Sequence, residues 1–137
     1  MGPHSPVGHG SLIPVIEVVA DYVLAVIQKV QRQCIRAVDV KSQAVDDFTE
    51  HTDIFMQRTA WSDGCSSWFK NGTVDGPVVA IWPGSRLTWF EALREPRFED
   101  FNYTYETGNR FQYFGNGFTK REVEGEDLTW YLDQPDI

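Results

Sequence analysis

The stretch from residue 12 to residue 33, LIPVIEVVADYVLAVIQKVQRQ, constrains this chain more than any other. Its apolar residues recur with helical spacing through Val15, Ile16, Val19, Tyr22, Val23, Val26, Ile27 and Val30, with Val18, Leu24 and Ala25 beside them. Polar residues form one stripe, Glu17, Asp21, Gln28 and Arg32. A surface helix normally sets a single apolar stripe against a broad polar face. Here the apolar arc is wider, so the helix needs cover on more than one side. A chain of 137 residues has room for one domain with a modest core and little to spare for such cover. The sequence therefore predicts an apolar strip left exposed along this helix when the chain stands alone. Glu17, Asp21, Gln28 and Lys29 break the run, which excludes a membrane span.

Around this helix the fold class reads as α+β: a long N-terminal helix, a second helix, a long loop, and short strands with a C-terminal hairpin. Ser11 is placed to cap the first helix, and Pro14 falls in its first turn, where proline is tolerated. Residues 35–40 form a short extended stretch. Ser42 caps a second helix over residues 43–57, with Val45, Phe48, Thr52 and Phe55 buried and Asp46, Asp47, Glu50 and Asp53 solvated. Residues 61–76 are loop, punctuated by Gly64, Gly72 and Gly76. Residues 78–82 read as a strand, and Pro83-Gly84-Ser85 turns into a short helix over 87–93 that Glu95-Pro96 ends. Residues 101–106 and 110–114 alternate aromatic and polar side chains around Thr107-Gly108-Asn109, the pattern of a hairpin. The tail after Gly115 is polar and weakly structured, with one turn near residues 128–132.

Charge and cysteine content remove several functions. Twelve basic against twenty acidic residues leave −8, which repels phosphate backbones and anionic membrane surfaces. No basic and apolar leader precedes the first helix, so the reading is cytoplasmic, with Cys34 and Cys65 as reduced thiols. His4, His9 and His51 lack metal-ligand spacing, so no metal site is expected. A Cys65–His51 nucleophile pair has no supporting motif, and no G-x-S-x-G elbow, phosphate loop or G-x-G-x-x-G is present.

Two features could carry chemistry. Gly8 and Gly10, followed by a helix start, offer backbone N–H groups and a positive dipole end to a partial negative charge. The alternative, an ordinary helix entrance, is the stronger reading from these residues alone. Trp68 lies in a glycine-flanked loop beside Lys70, as suits a lid over a cofactor or substrate; equally, it could pin the loop to the core. Arg86, Arg94, Arg97 and Arg110 read as solvated or paired surface charges.

GPHSPVGHGSLIPVIE (2–17), EHTDIF (50–55) and SWFKNGTVDGPVVAIWPGS (67–85) resemble, in order and spacing, the end of Baeyer–Villiger and related flavin-containing monooxygenases. AIWPGS followed by EALREPRFEDF (80–101) is similar to the fungal members. The resemblance implies an intact protein with two dinucleotide-binding folds for FAD and NADPH. Such a protein inserts oxygen next to a carbonyl or oxidises a soft heteroatom. It implies Gly10, Ser11 and Leu12 as flavin neighbours and Trp68 as the mobile-loop tryptophan that approaches the nicotinamide cofactor. Pro6, Val7, Gly8 and His9 would border the substrate pocket, for a small ketone or a polyketide- or terpenoid-type substrate.

The same resemblance divides the chain into residues 1–33, the end of an FAD-domain-like segment; 34–118, a monooxygenase C-terminal region; and 119–137, a polar tail. Both Rossmann motifs and the family's catalytic arginine segment are missing. The chain alone is therefore expected to hold neither FAD nor NADPH and to be inactive as a monooxygenase. Catalytic residues stay unassigned. Two alternatives remain: a cofactor-free isomerase or cyclase of a fungal secondary-metabolite pathway, and an accessory binding module of a larger flavoprotein.

Overall fold

In the computed structural model, residues 3–8 and 10–133 are described. The architecture is α+β, with the long helix first. Helix α1 (Ile13–Arg32) begins at an N-cap, Leu12, that has helical backbone angles and no side-chain cap. Ser11 is therefore not the cap. Pro14 in the first turn lacks an N–H and has its φ preset, so one of the groups a cap would satisfy is missing. Cys34, at φ 52°, turns the chain from α1 into strand β1 (Ile35–Val40).

Strand β1 pairs antiparallel with β2 (Phe101–Tyr105), from Ile35 opposite Tyr105 to Val40 opposite Phe101, with an irregularity between Ile35 and Ala37. The hairpin expected between residues 101–106 and 110–114 does not form; β2 returns to β1 instead. Phe101, Tyr103 and Tyr105 make one half-buried aromatic face on β2, and the Lys29 ammonium of α1 lies 4.9 Å from the Phe98 ring and 5.4 Å from the Tyr103 ring. In residues 111–114 the aromatic pair is Phe111 and Phe114, stacked at 6.0 Å, a spacing of three that suits the observed 3-10 turn at Gln112–Phe114 and not a strand.

Helix α2 (Ser42–Met56) starts one residue earlier than the cap reading required. Lys41 is the N-cap, and its N–H and ammonium donate to the carbonyls of Asp100 and Glu99, tying the helix to the residues leading into β2. Asp46, Asp47, Glu50 and Asp53 are solvated as expected. The second half of the expected face is inside, Thr52 buried and Phe55 half-buried beside the buried Met56, whereas in the first half Val45 is 50% and Phe48 38% exposed. Helix α3 (Arg86–Leu93) is capped by Ser85, whose hydroxyl accepts from Thr88 N–H. The tail carries more order than expected. Helix α4 (Lys120–Glu124) has a capping box in which Thr119 and Glu122 satisfy each other's backbone N–H.

The buried apolar set is small: Val15, Ile35, Met56, Val78, Ile81 and Trp89. Met56, Val78 and Ile81 form its cluster, flanked by Phe55, Trp61 and Phe69. Helix α1 packs on α3 and β1. Its Val15 is buried and Val19, Tyr22, Val26 and Val30 are half-covered. A second apolar face, Ile13, Ile16, Val23, Leu24 and Ile27, stays 43–67% exposed. On a 3.6-residue helix these five fall within about 100° of one another. The exposed strip predicted from the width of the apolar arc is present. No helix among the described residues is long and apolar enough to cross a membrane.

Candidate functional site

The site is built around a short ribbon, residues 4–8, laid along residues 79–82. His4 N–H donates to Val79 O at 3.1 Å and Trp82 N–H to Ser5 O at 3.3 Å, around a single parallel bridge between Ser5 and Ile81. The strand expected at 78–82 is reduced to this one bridge. Pro6 on one side and Pro83 on the other lack the N–H groups that a longer ladder would need. Ser5 and Pro6 are buried by the pairing, and Val7 and Gly8 emerge from it.

Two glycines then permit two close approaches. At Gly8, a Cβ would stand 3.3 Å from two carbons of the Trp61 ring. Gly10 has φ +63°, and a Cβ there would come within 2.6 Å of Arg86 Nη1. Arg86 was expected among the solvated or paired surface charges. Instead it is half-buried, joins none of the four ion pairs found among the described residues, and has a buried Nε with no acceptor. Arg97 follows the expectation, pairing with Asp100 at 2.6 Å and Glu99 at 3.4 Å. Gly10, Ser11 and Leu12 are exposed at the uncapped start of α1. Uncapped first-turn N–H groups and the Arg86 guanidinium against Gly10, outside every ion pair found among the described residues, together favour negative charge at this edge.

Trp68 begins a 3-10 turn, Trp68–Lys70, and is 64% exposed. It does not pin the loop to the core; Phe69 and Lys70 do that. Phe69 stands edge-on to Trp61 at 5.2 Å, its carbonyl accepts from Val79 N–H at 2.9 Å, and Trp68 meets Phe69 edge-on at 5.8 Å. Val79 thus bonds both the ribbon, through its carbonyl, and the Trp68 turn, through its N–H. Gly8 and Trp68 are linked through Trp61 and Phe69. His9, expected with Pro6, Val7 and Gly8 to border a substrate pocket, lies outside the described residues.

Beside the ribbon an open cleft of about 850 Å³ is walled by His4, Tyr22, Val45, Phe48, Trp82 and Phe101, with Arg97 and Asp100 at its rim. His4 shares Nδ1 with Ile81 O at 3.1 Å and stands edge-on to Phe48 at 5.5 Å. Burial, and secondarily the charge of Asp100, raise the Tyr22 phenol above its ordinary pKa. The Arg97 guanidinium bonded to Asp100 holds that carboxyl below its usual range. An aromatic wall with few convergent polar groups suits shape-selective binding more than acid–base work. Among the described residues no histidine, cysteine or carboxylate cluster could hold a metal.

Sequence reasoning missed Arg86, Lys70 and Trp61. Trp61 and Arg86 stand against Gly8 and Gly10, which the sequence marks only as a glycine-rich helix entrance.

An uncapped helix start, two glycine approaches and an aromatic-walled cleft are the features of this chain that could border a bound ligand. Comparison with curated proteins places the chain accordingly: it is homologous to part of the FAD-binding monooxygenases. It is 40% identical over 136 residues to the probable FAD-binding monooxygenase ltbD of Aspergillus luteorubrus, covering 98% of this chain and 28% of that protein. It is 37% identical over 125 residues to the FAD-binding monooxygenase stcW of Emericella nidulans, covering 91% and 21%. A Baeyer–Villiger monooxygenase of Pseudomonas aeruginosa is 34% identical over 95 residues, covering 68% and 18%. The chain thus spans less than a third of the length of these relatives. No protein-family model and no solved structure matches it.

Proposed function

We propose that the chain is the C-terminal part of a Baeyer–Villiger-type flavin monooxygenase and supplies one wall of its flavin and substrate site. One observation carries the reading: a 40% identical monooxygenase matches this chain nearly end to end, over only 28% of its own length. The exposed apolar face of α1 supports it, because such a face is completed by a larger body.

The residues present fit one edge of a flavin. Gly10, Ser11 and Leu12 offer uncapped backbone, and Arg86 brings a guanidinium whose Nε has no acceptor. Nothing among the described residues fits the dinucleotide half, for which the glycine-rich turn is missing. The segment alone is thus inactive as a monooxygenase. When bound, FAD would carry the two electrons that NADPH supplies for reducing oxygen. The overall reaction turns a ketone, O2, NADPH and a proton into an ester, NADP+ and water. Pro6, Val7, Gly8 and His9 border the substrate, and Trp68 approaches the nicotinamide. Residues 1–33 act as the end of the FAD domain, 34–118 as the monooxygenase C-terminal region and 119–137 as a polar tail. The setting is cytoplasmic, in fungal secondary metabolism, with a polyketide- or terpenoid-type ketone as substrate.

The test is to express the longest product of the gene. A yellow protein that retains FAD and consumes NADPH and O2 with a ketone is expected. A 137-residue product that folds without flavin and turns over a pathway intermediate would establish the cofactor-free isomerase instead. Co-purification with a separate flavoprotein would establish the accessory module.

A further inference from the structure

Lys70 is the one lysine buried among the described residues, at 1% exposure. A buried ammonium is strongly disfavoured unless its three protons are satisfied. All three are: Nζ donates to the carbonyls of Ser62 and Val74, each at 3.0 Å, and to that of Asp63. No carboxylate shares in this. With every proton engaged by backbone, the amine is not disposed to act as a base or nucleophile. The arrangement is a cross-link between the two limbs of the loop, residues 62–63 and residue 74.

Further bonds close the same loop. Ser66 hydroxyl donates to Gly72 O at 2.9 Å, Gly72 N–H to Ser67 O at 2.8 Å, and Thr73 hydroxyl to Lys70 O at 2.6 Å. Trp68 projects from the middle of this unit, two residues from the buried ammonium.

We propose that Lys70 is a positioning residue: it clamps residues 62–74 into a rigid bracket that presents Trp68 to its ligand. The ligand's identity as a nicotinamide cofactor rests on the function proposed above, whereas the clamp does not. Loss of the clamp then acts through Trp68. Removing either residue costs the same binding, and removing both costs no more.

The test uses the full-length protein carrying this segment, as wild type, Lys70→Met, Trp68→Ala and the double variant. Amide exchange is followed by mass spectrometry and NADPH affinity by titration. In Lys70→Met, amides of residues 62–74 are expected to exchange about tenfold faster or more, with β1 and β2 unchanged. NADPH affinity falls by the same factor in both single variants and no further in the double. Unchanged exchange in the loop, or affinity losses that multiply in the double variant, would overturn the proposal. If Lys70→Met does not fold, Lys70→Gln, which keeps two N–H donors, must show the same localised acceleration to a smaller degree. Unchanged exchange there overturns the proposal equally. A wild type that binds neither FAD nor NADPH defeats the monooxygenase reading, and the exchange data still decide the clamp.

Discussion

Gly10 lies beneath the Arg86 guanidinium so closely that a Cβ would stand 2.6 Å from Nη1 and the guanidinium would have to shift. The contact joins the start of α1 to the start of α3 at the edge proposed for the flavin. Two penalties therefore meet in Gly10→Ala, a left-handed φ of +63° and the overlap with Arg86. Chemical denaturation should show a loss of about 1–3 kcal/mol. Arg86→Ala in the same chain should return the steric share and leave the backbone share. If the double variant is no more stable than Gly10→Ala, the overlap contributes nothing.

Burial along α2 sets a second expectation. Met56 is 3% exposed in the Val78–Ile81 cluster, and Val45 is 50% exposed on the same helix. Met56→Ala should destabilise by about 2–5 kcal/mol, and Val45→Ala by less than about 1 kcal/mol, since little is desolvated there. Equal losses at both positions would contradict the observed face.

The tail responds to acid through its caps. Glu122 is held below the usual carboxylate range by the Thr119 backbone N–H, then by the Thr119 hydroxyl. Asp127 is lowered in the same way by Thr129 N–H and hydroxyl. A depressed pKa means stability present above the ordinary carboxylate value and lost as pH falls through the lower folded value. Amide exchange of residues 119–133 should rise relative to β1 and β2 as pH drops below about 4. Glu122→Gln should remove most of that pH dependence in α4. A tail that loosens in parallel with the sheet would refute this.

Cys34 tests the turn after α1. Its φ of 52° suits glycine. Cys34→Gly should hold or raise the melting temperature, whereas Cys34→Val should lower stability by about 1 kcal/mol or more.

The long helix was legible because its periodicity is local and strong, and its exposed strip followed from the width of its apolar arc. The helix at Arg86–Leu93 was equally legible, from the Pro83-Gly84-Ser85 turn and its cap. The partner of β2 was not, because alternation within residues 101–106 marks a strand without naming what it pairs with. The aromatic run at 111–114 then imitated a second strand. The α2 face was legible at Thr52 and Phe55 and not at Val45 and Phe48, which border an open cleft and not the core. At the site, Gly8 and Gly10 read as a helix entrance with free N–H groups, and nothing local showed that side chains close over them. Trp61 and Arg86 reach them from 53 and 76 residues away in sequence. Lys70 left no trace, because nothing in a Trp-Phe-Lys run says that the lysine turns inward onto carbonyls.

The account turns on the apolar face of α1, and side-chain oxidation footprinting tests it most directly. Ile13, Ile16, Val23, Leu24 and Ile27 should be labelled heavily in the 137-residue chain and protected in a longer flavin-bound protein that contains it. Protection of all five in the short chain as a monomer, or full labelling in the flavin-bound protein, would contradict it.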